Sequence, residues 1–189
     1  MMKNILVYGD GIIGKLTAIA LSKYFNVYIL TNNKSKIAND NQDRYFSINL
    51  LSKFMFLKYG LWKDINKNIS SSYNKIVTWH ESLKEDVIFK SSDISFDKLG
   101  YIIKEDVIKN TLDYKLSTMP NIFSTNFIDY KIDDIDFEFK IKSSYEKEIL
   151  SNNKNYNFSK IDYDQKAIVL NLTCDLNNDQ DTAFQRFHT

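Results

Sequence analysis

At 189 residues, with 43% hydrophobic, 14% aromatic and 26% charged residues, the chain has the profile of a globular domain long enough to bury a core, which excludes fibrous and disordered classes. Twenty-five basic residues against 24 acidic ones leave a formal charge of +1, so no overall field favours nucleic acid or an anionic membrane. A lone cysteine, Cys174, excludes a disulfide within the chain, and no stretch has the form of a signal peptide or membrane span, so a cytoplasmic protein is expected.

Residues 4–8 are an apolar run rich in β-formers, followed by Gly9-Asp10-Gly11-Ile12-Ile13-Gly14 and then residues 15–25. The pattern predicts strand, tight turn and helix. Within the helix Leu16, Ile19, Ala20 and Tyr24 fall at the spacing of one packed face, with Ala18 and Leu21 packing behind the turn. Residues 27–30 form a second β-rich run that ends at Thr31-Asn32-Asn33-Lys34. This completes a β-α-β unit, expected to have parallel strands and a right-handed crossover. Ile48, Leu51, Met55 and Phe56 predict a helix over 47–58, closed by Gly60. Short β-rich segments at 76–79, 87–89 and 99–103 read as an antiparallel insertion. A helix is predicted over 105–116, with Val107, Ile108, Thr111 and Leu112 on one side. Further strands are expected at 121–127, 135–141 and 167–173, and 143–160 reads as a polar loop or linker.

The spacing Gly9-x-Gly11-x-x-Gly14, between a strand and a helix, is the context of a dinucleotide fingerprint. The first glycine permits the sharp turn, the second lets backbone approach a pyrophosphate, and the third lets helix pack on strand. The helix start, with Ile12 and Ile13, then presents N–H groups and a partial positive charge to phosphates. About 20 positions on, such sites place an acid for the ribose hydroxyls. Here that place is held by Thr31, which offers only a neutral hydrogen bond, so weakened cofactor affinity is expected. A NAD(P)-binding dehydrogenase domain is an alternative, since the fingerprint serves both cofactors.

Other residues carry less chemistry. His80 and His188 lack a cysteine pair or a His-x-x-x-His partner, so no metal site is expected. Cys174 has no neighbouring base and reads as inert. Asp133-Asp134-Ile135-Asp136 lacks the glycine and terminal glutamate of a calcium loop and reads as a charged turn. Trp62, Trp79 and the 12 tyrosines are not interleaved with a basic run, so they read as packing residues rather than a nucleic-acid platform.

Four blocks in order resemble the flavin-dependent aromatic hydroxylases of the p-hydroxybenzoate hydroxylase fold, and within them the ubiquinone-biosynthesis hydroxylases. Gly9-Asp10-Gly11-Ile12-Ile13-Gly14-Lys15-Leu16-Thr17-Ala18 is similar to the FAD fingerprint. Asp43-Arg44-Tyr45-Phe46-Ser47-Ile48-Asn49 with Tyr59-Gly60-Leu61-Trp62 resembles the Arg-containing loop and the helix after it. Leu99-Gly100-Tyr101-Ile102-Ile103, with the helix to Leu112, resembles the strand and helix before the third parallel strand. Tyr163-Asp164-Gln165-Lys166-Ala167-Ile168-Val169 with Ala183-Phe184-Gln185-Arg186-Phe187 resembles the start of the substrate domain.

The resemblance implies an α/β fold with a Rossmann-like FAD-binding β-α-β core, an inserted antiparallel β segment and the start of a β-rich substrate domain. It places a FAD-binding domain at 1–142, with the insertion at about 70–103, and a linker with the start of a truncated substrate domain at 143–189. It implies FAD as cofactor, NAD(P)H as reductant, an aromatic substrate with or without a polyprenyl tail, and Arg44 lying against the FAD. Catalytic residues are not identified. A lipid-tailed substrate would bring the protein to a membrane periphery. Three departures stand out: Thr31 replaces the usual acid, no glycine follows Gly100 where the family carries an Asp-Gly motif, and the sequence stops at Thr189. The expectation is therefore the FAD-binding N-terminal part of an aromatic-ring hydroxylase of ubiquinone biosynthesis, not competent alone. A non-catalytic remnant or subunit that needs a second chain for the C-terminal half is the alternative.

Overall fold

The computed structural model describes residues 2–31, 43–82, 84–126, 135–143, 164, 168–172 and 181–188. Along the chain the elements are β1 (Lys3–Tyr8), α1 (Ile12–Leu21), β2 (Phe25–Thr31), β3 (Tyr45–Asn49), α2 (Leu50–Lys58), α3 (Trp62–Asn66), β4 (Ile69–Tyr73), β5 (Lys75–His80), β6 (Val87–Lys90), β7 (Gly100–Lys104), α4 (Glu105–Ser117), β8 (Ile122–Asn126), β9 (Phe139–Lys142) and β10 (Thr182–Phe187). The β1-α1-β2 unit has the expected parallel strands, in register from Lys3 against Phe25 to Tyr8 against Leu30. β8 joins β2 and β9 joins β1, both parallel, giving the order β8-β2-β1-β9. Ile5, Leu6 and Val7 are buried in succession, as are Ile29 and Leu30. A strand covered on both faces needs such unbroken apolar runs.

Helix α1 joins two cores. Ala18 packs with Ile5, Val7, Val27 and Ile29 of the parallel sheet. Leu16 and Ile19 belong to a larger cluster with Ile48, Phe56, Trp62, Ile65, Ile103, Ile108 and Leu112, which draws on all four helices and on β3 and β7. An ion pair from Lys15 Nζ to Asp113, 2.5 Å long, links α1 to α4 on the same side. The predicted α4 face holds: Ile108 and Leu112 are fully buried.

Two three-stranded sheets are built from β3 to β7, which fall between β2 and β8 in sequence, and from β10 near the far end. One has the order β3-β7-β4, antiparallel throughout. The other has the order β10-β5-β6, in which β5 and β6 are antiparallel and β10 adds parallel to β5. Strand β4, rich in serine, was not expected, because Ile69-Ser70-Ser71-Ser72-Tyr73 carries little apolar signal. It forms because β7 offers it a pairing edge.

Several expected boundaries move. Helix α1 begins at Ile12 rather than at 15 and ends at Leu21, so Gly14 lies inside it. Tyr24 falls beyond the helix and is exposed, while Phe25 opens β2. The helix expected over 47–58 divides: Ile48 lies in β3 and points into the core, whereas Leu51 and Met55 of α2 are exposed. Ile48 had supplied the apolar period that a strand residue cannot share with a helix. Asn49 stops the strand, and its side chain accepts a hydrogen bond from Ser52 N at 2.9 Å as the cap of α2. Gly60 does close that helix, with φ +70°. Strand β9 covers only the end of the run predicted at 135–141. Residues 168–172, expected in a strand, form none and are exposed.

The chain divides into two compact units, Met1–Ser144 with Asp181–Thr189 and Tyr145–Gln180. Most of the loop expected at 143–160, Cys174, and the pair Asp133-Asp134 lie outside the described residues.

Candidate functional site

The site grows from the shared register of β1 and β2. Because Tyr8 stands opposite Leu30, both strands end at one edge of the sheet, and Gly9 N donates to Leu30 O at 3.1 Å. Gly9 takes φ +105°, a conformation that a side chain disfavours. The chain then reverses into α1 through Gly11, which caps the helix with φ −70° and ψ 177°. No side chain caps α1, and its first turn holds no acid. The main-chain N–H groups at Ile12, Ile13 and Gly14 are the ones an uncapped helix start directs outward. The Ile13 side chain stands exposed beside them.

The second and third glycines differ in their surroundings. A Cβ on Gly11 would meet nothing within 4 Å, so backbone there is open to an incoming group. A Cβ on Gly14 would run into the Gly9 carbonyl and the Ser143 hydroxyl. The turn therefore has a tightly packed floor and an open rim, the arrangement a pyrophosphate requires. These residues fit the phosphate portion of a dinucleotide.

Ser143, at the end of β9, was read from sequence as the first residue of a loop. Its N–H and its Oγ each donate to Tyr8 O at 2.8 Å, and Oγ also reaches Gly9 O at 3.2 Å. It thus ties down the peptide that enters the glycine turn. No local signal marks it: the contact spans 134 residues of sequence and exists because β9 pairs with β1.

Thr31 is the last residue of β2 and lies opposite Asn126 at the same sheet edge as the glycine turn. Arg44 lies just before β3. Its exposed guanidinium stands with Nε 3.5 Å from Glu105 Oε2, and Glu105 also receives Lys109 at 2.7 Å. Among the described residues its polar contacts run to Glu105 and not to the glycine turn. Beside it, Asp43 accepts a hydrogen bond from Lys104 and holds that ammonium above its ordinary pKa. A raised lysine contributes fully below its unfolded value, 10.5, and the contribution fades only as pH rises through the folded one. This pair is therefore intact at neutral pH.

Among the described residues no helix is long and apolar enough to cross a membrane, and no group of three or more potential metal ligands is present.

No family model and no curated protein matches the sequence. The fold is matched by solved structures. PqsL of Pseudomonas aeruginosa in complex with 2-aminobenzoylacetate aligns with TM-score 0.52 at 13% identity, over 67% of this chain and 34% of that one. The tetrameric form of 2-methyl-3-hydroxypyridine-5-carboxylic acid oxygenase aligns with TM-score 0.50 at 13% identity, over 66% and 31%. A further structure, described as "pqsL, a probable FAD-dependent monooxygenase from Pseudomonas aeruginosa", gives 0.50 at 13%, over 67% and 33%. The chain spans about a third of the length of each. Over about two thirds of its length the chain shares the fold of these structures.

Proposed function

We propose that this chain binds FAD at the glycine turn and forms the FAD-binding part of a flavin-dependent aromatic-ring hydroxylase. The observation that carries the reading is the turn itself: Gly9 at φ +105°, Gly14 packed against its carbonyl, and Gly11 open above an uncapped helix start. The main chain at Gly9, Gly11, Ile12, Ile13 and Gly14 would hold the pyrophosphate. Thr31 would donate or accept one neutral hydrogen bond at the ribose, and Ser143 would keep the turn in shape. The exposed guanidinium of Arg44 suits a further phosphate or ribose contact, made by leaving Glu105. FAD, reduced by NAD(P)H, would supply the chemistry that carries oxygen to the ring.

The finer assignment, to the ubiquinone-biosynthesis hydroxylases acting on a ring with or without a polyprenyl tail, rests on the four sequence blocks and their order. The fold match spans about a third of its neighbours, so a competent enzyme would need further residues to complete the flavin and substrate sites, and a second polypeptide is one source.

A titration of the purified chain with FAD tests the reading. Saturable binding is expected, with a melting temperature that climbs as ligand is added, since ligand at a hundred times Kd adds about 2.7 kcal/mol to stability. Gly11→Val should remove both effects. A folded protein that binds no FAD would overturn the proposal, and NADH binding without flavin binding would replace it with a dehydrogenase domain.

A further inference from the structure

A second polar cleft lies at the opposite end of α1 from the glycine turn. It has a volume of about 470 Å³, within the range of small-molecule sites. The helix is ten residues long, which separates the two places by about 15 Å. Ile19, Ala20 and Met119 supply apolar wall, Tyr24 and Tyr59 supply aromatic rings, and Lys23, Lys58 and Lys115 supply three positive charges. No acidic residue lines the cleft, and among the described residues none of the three ammonium groups has an ion-pair partner.

Helix capping would be the ordinary use of such lysines, because α1, α2 and α4 all end here. The hydrogen bonds argue against it. Carbonyls at these ends are already taken: Ala18 O by Ser22 N, Met55 O by Tyr59 N, Leu57 O by Gly60 N, and Lys115 O by Thr118 N. The amide of Asn121 donates to Ser22 O and Phe25 O. Charge argues the same way. Each helix end carries about half a negative charge, so three ends offset at most half of what three lysines bring. A net positive cleft with an apolar wall and two tyrosine rings remains.

We propose that this cleft binds a small aromatic compound carrying a doubly charged phosphoryl group, at a site separate from the glycine turn. Lysine ammonium groups are compact point charges that suit phosphate. Tyr24, 61% exposed, has Lys23 Nζ 5.5 Å from its ring centroid, so an aromatic surface and a positive charge stand together to meet the two parts of one ligand. The assignment does not depend on the cofactor reading, and the two can fail separately.

Titration of the isotopically labelled chain with phenyl phosphate, followed by amide NMR shifts, tests it. Saturable shifts are expected at residues 19–24, 58–60 and 115–121, and they should persist in Gly11→Val. The double variant Lys23→Gln with Lys115→Gln, which removes two of the three charges, should weaken binding by about tenfold or more, and Lys58→Gln alone by less. Shifts confined to the glycine turn, or an affinity unchanged in the double variant, would overturn the site. Inorganic phosphate binding as tightly as phenyl phosphate would overturn the aromatic part of the assignment.

Discussion

Gly11 and Gly14 stand three residues apart and place opposite demands on a methyl group. At Gly14 an added Cβ meets the Gly9 carbonyl and Ser143 Oγ, so Gly14→Ala should destabilise the fold by about 1–3 kcal/mol, the usual cost of overpacking. Urea unfolding would read it, and an unchanged midpoint would show that the turn relaxes freely. At Gly11 the backbone is already in a region open to any residue and nothing lies within 4 Å. Gly11→Ala should leave stability within about 0.5 kcal/mol while weakening FAD binding, because the methyl occupies the approach of the phosphates. Thr31→Glu should tighten FAD by about tenfold, as a charged acceptor replaces a neutral one. Equal or weaker binding in that variant would show that Thr31 does not face the ribose. The glycine roles were legible from spacing, whereas Ser143 was not, since nothing in Lys142-Ser143-Ser144 marks a residue that braces Gly9.

At the scale of elements, periodicity located ten of the fourteen described strands and helices, though not always their limits, and missed β3, α3, β4 and β10. Ile48, Leu51, Met55 and Phe56 satisfied a helical period, yet only Ile48 and Phe56 are buried, and they reach the same core from different elements. The packing of α4 on α1 carries more weight. Leu112 is fully buried in a cluster fed by four helices, so Leu112→Ala should cost about 2–5 kcal/mol. Leu51→Ala, on the exposed face of α2, should cost little. Chemical denaturation of the two variants side by side is the check, and equal losses would contradict the core described here. Asn49→Ala removes the hydrogen bond to Ser52 N and should cost about 1 kcal/mol.

Across the whole molecule, the central strands β1 and β2 of the parallel sheet are buried, while the outer strands β6 and β10 of the sheet β10-β5-β6 are not. Val87, Ile88 and Phe89 of β6 are each about half exposed although alternate residues face opposite sides. Phe184 and Phe187 of β10 are exposed in the same sheet. An apolar strand at a sheet edge, open on both faces, is prone to pair with another chain. Ile88→Lys should therefore raise the concentration at which the protein stays monodisperse, with little change in melting temperature; light scattering on both forms would measure it, and unaltered association would locate the contact elsewhere.

Some of this was decided locally. An unbroken apolar run, three glycines at fixed spacing and an amphipathic segment specify strand, turn and helix through backbone sterics and hydrophobic period, which act over a few residues. That was enough for the β-α-β unit, for the conformation of the glycine turn, and for the buried face of α4. Tertiary structure decided what depends on residues far apart. The pairing of β9 with β1 brings Ser143 to Gly9, β7 recruits the serine-rich β4, β5 captures β10 from the far end of the chain, and Glu105 at the head of α4 engages Arg44. Each of these follows from long-range hydrogen bonding or ion pairing whose partners carry no mark of one another in sequence. The three-lysine cleft belongs with them, because only the packing of α1, α2 and α4 gathers charges from positions 23, 58 and 115.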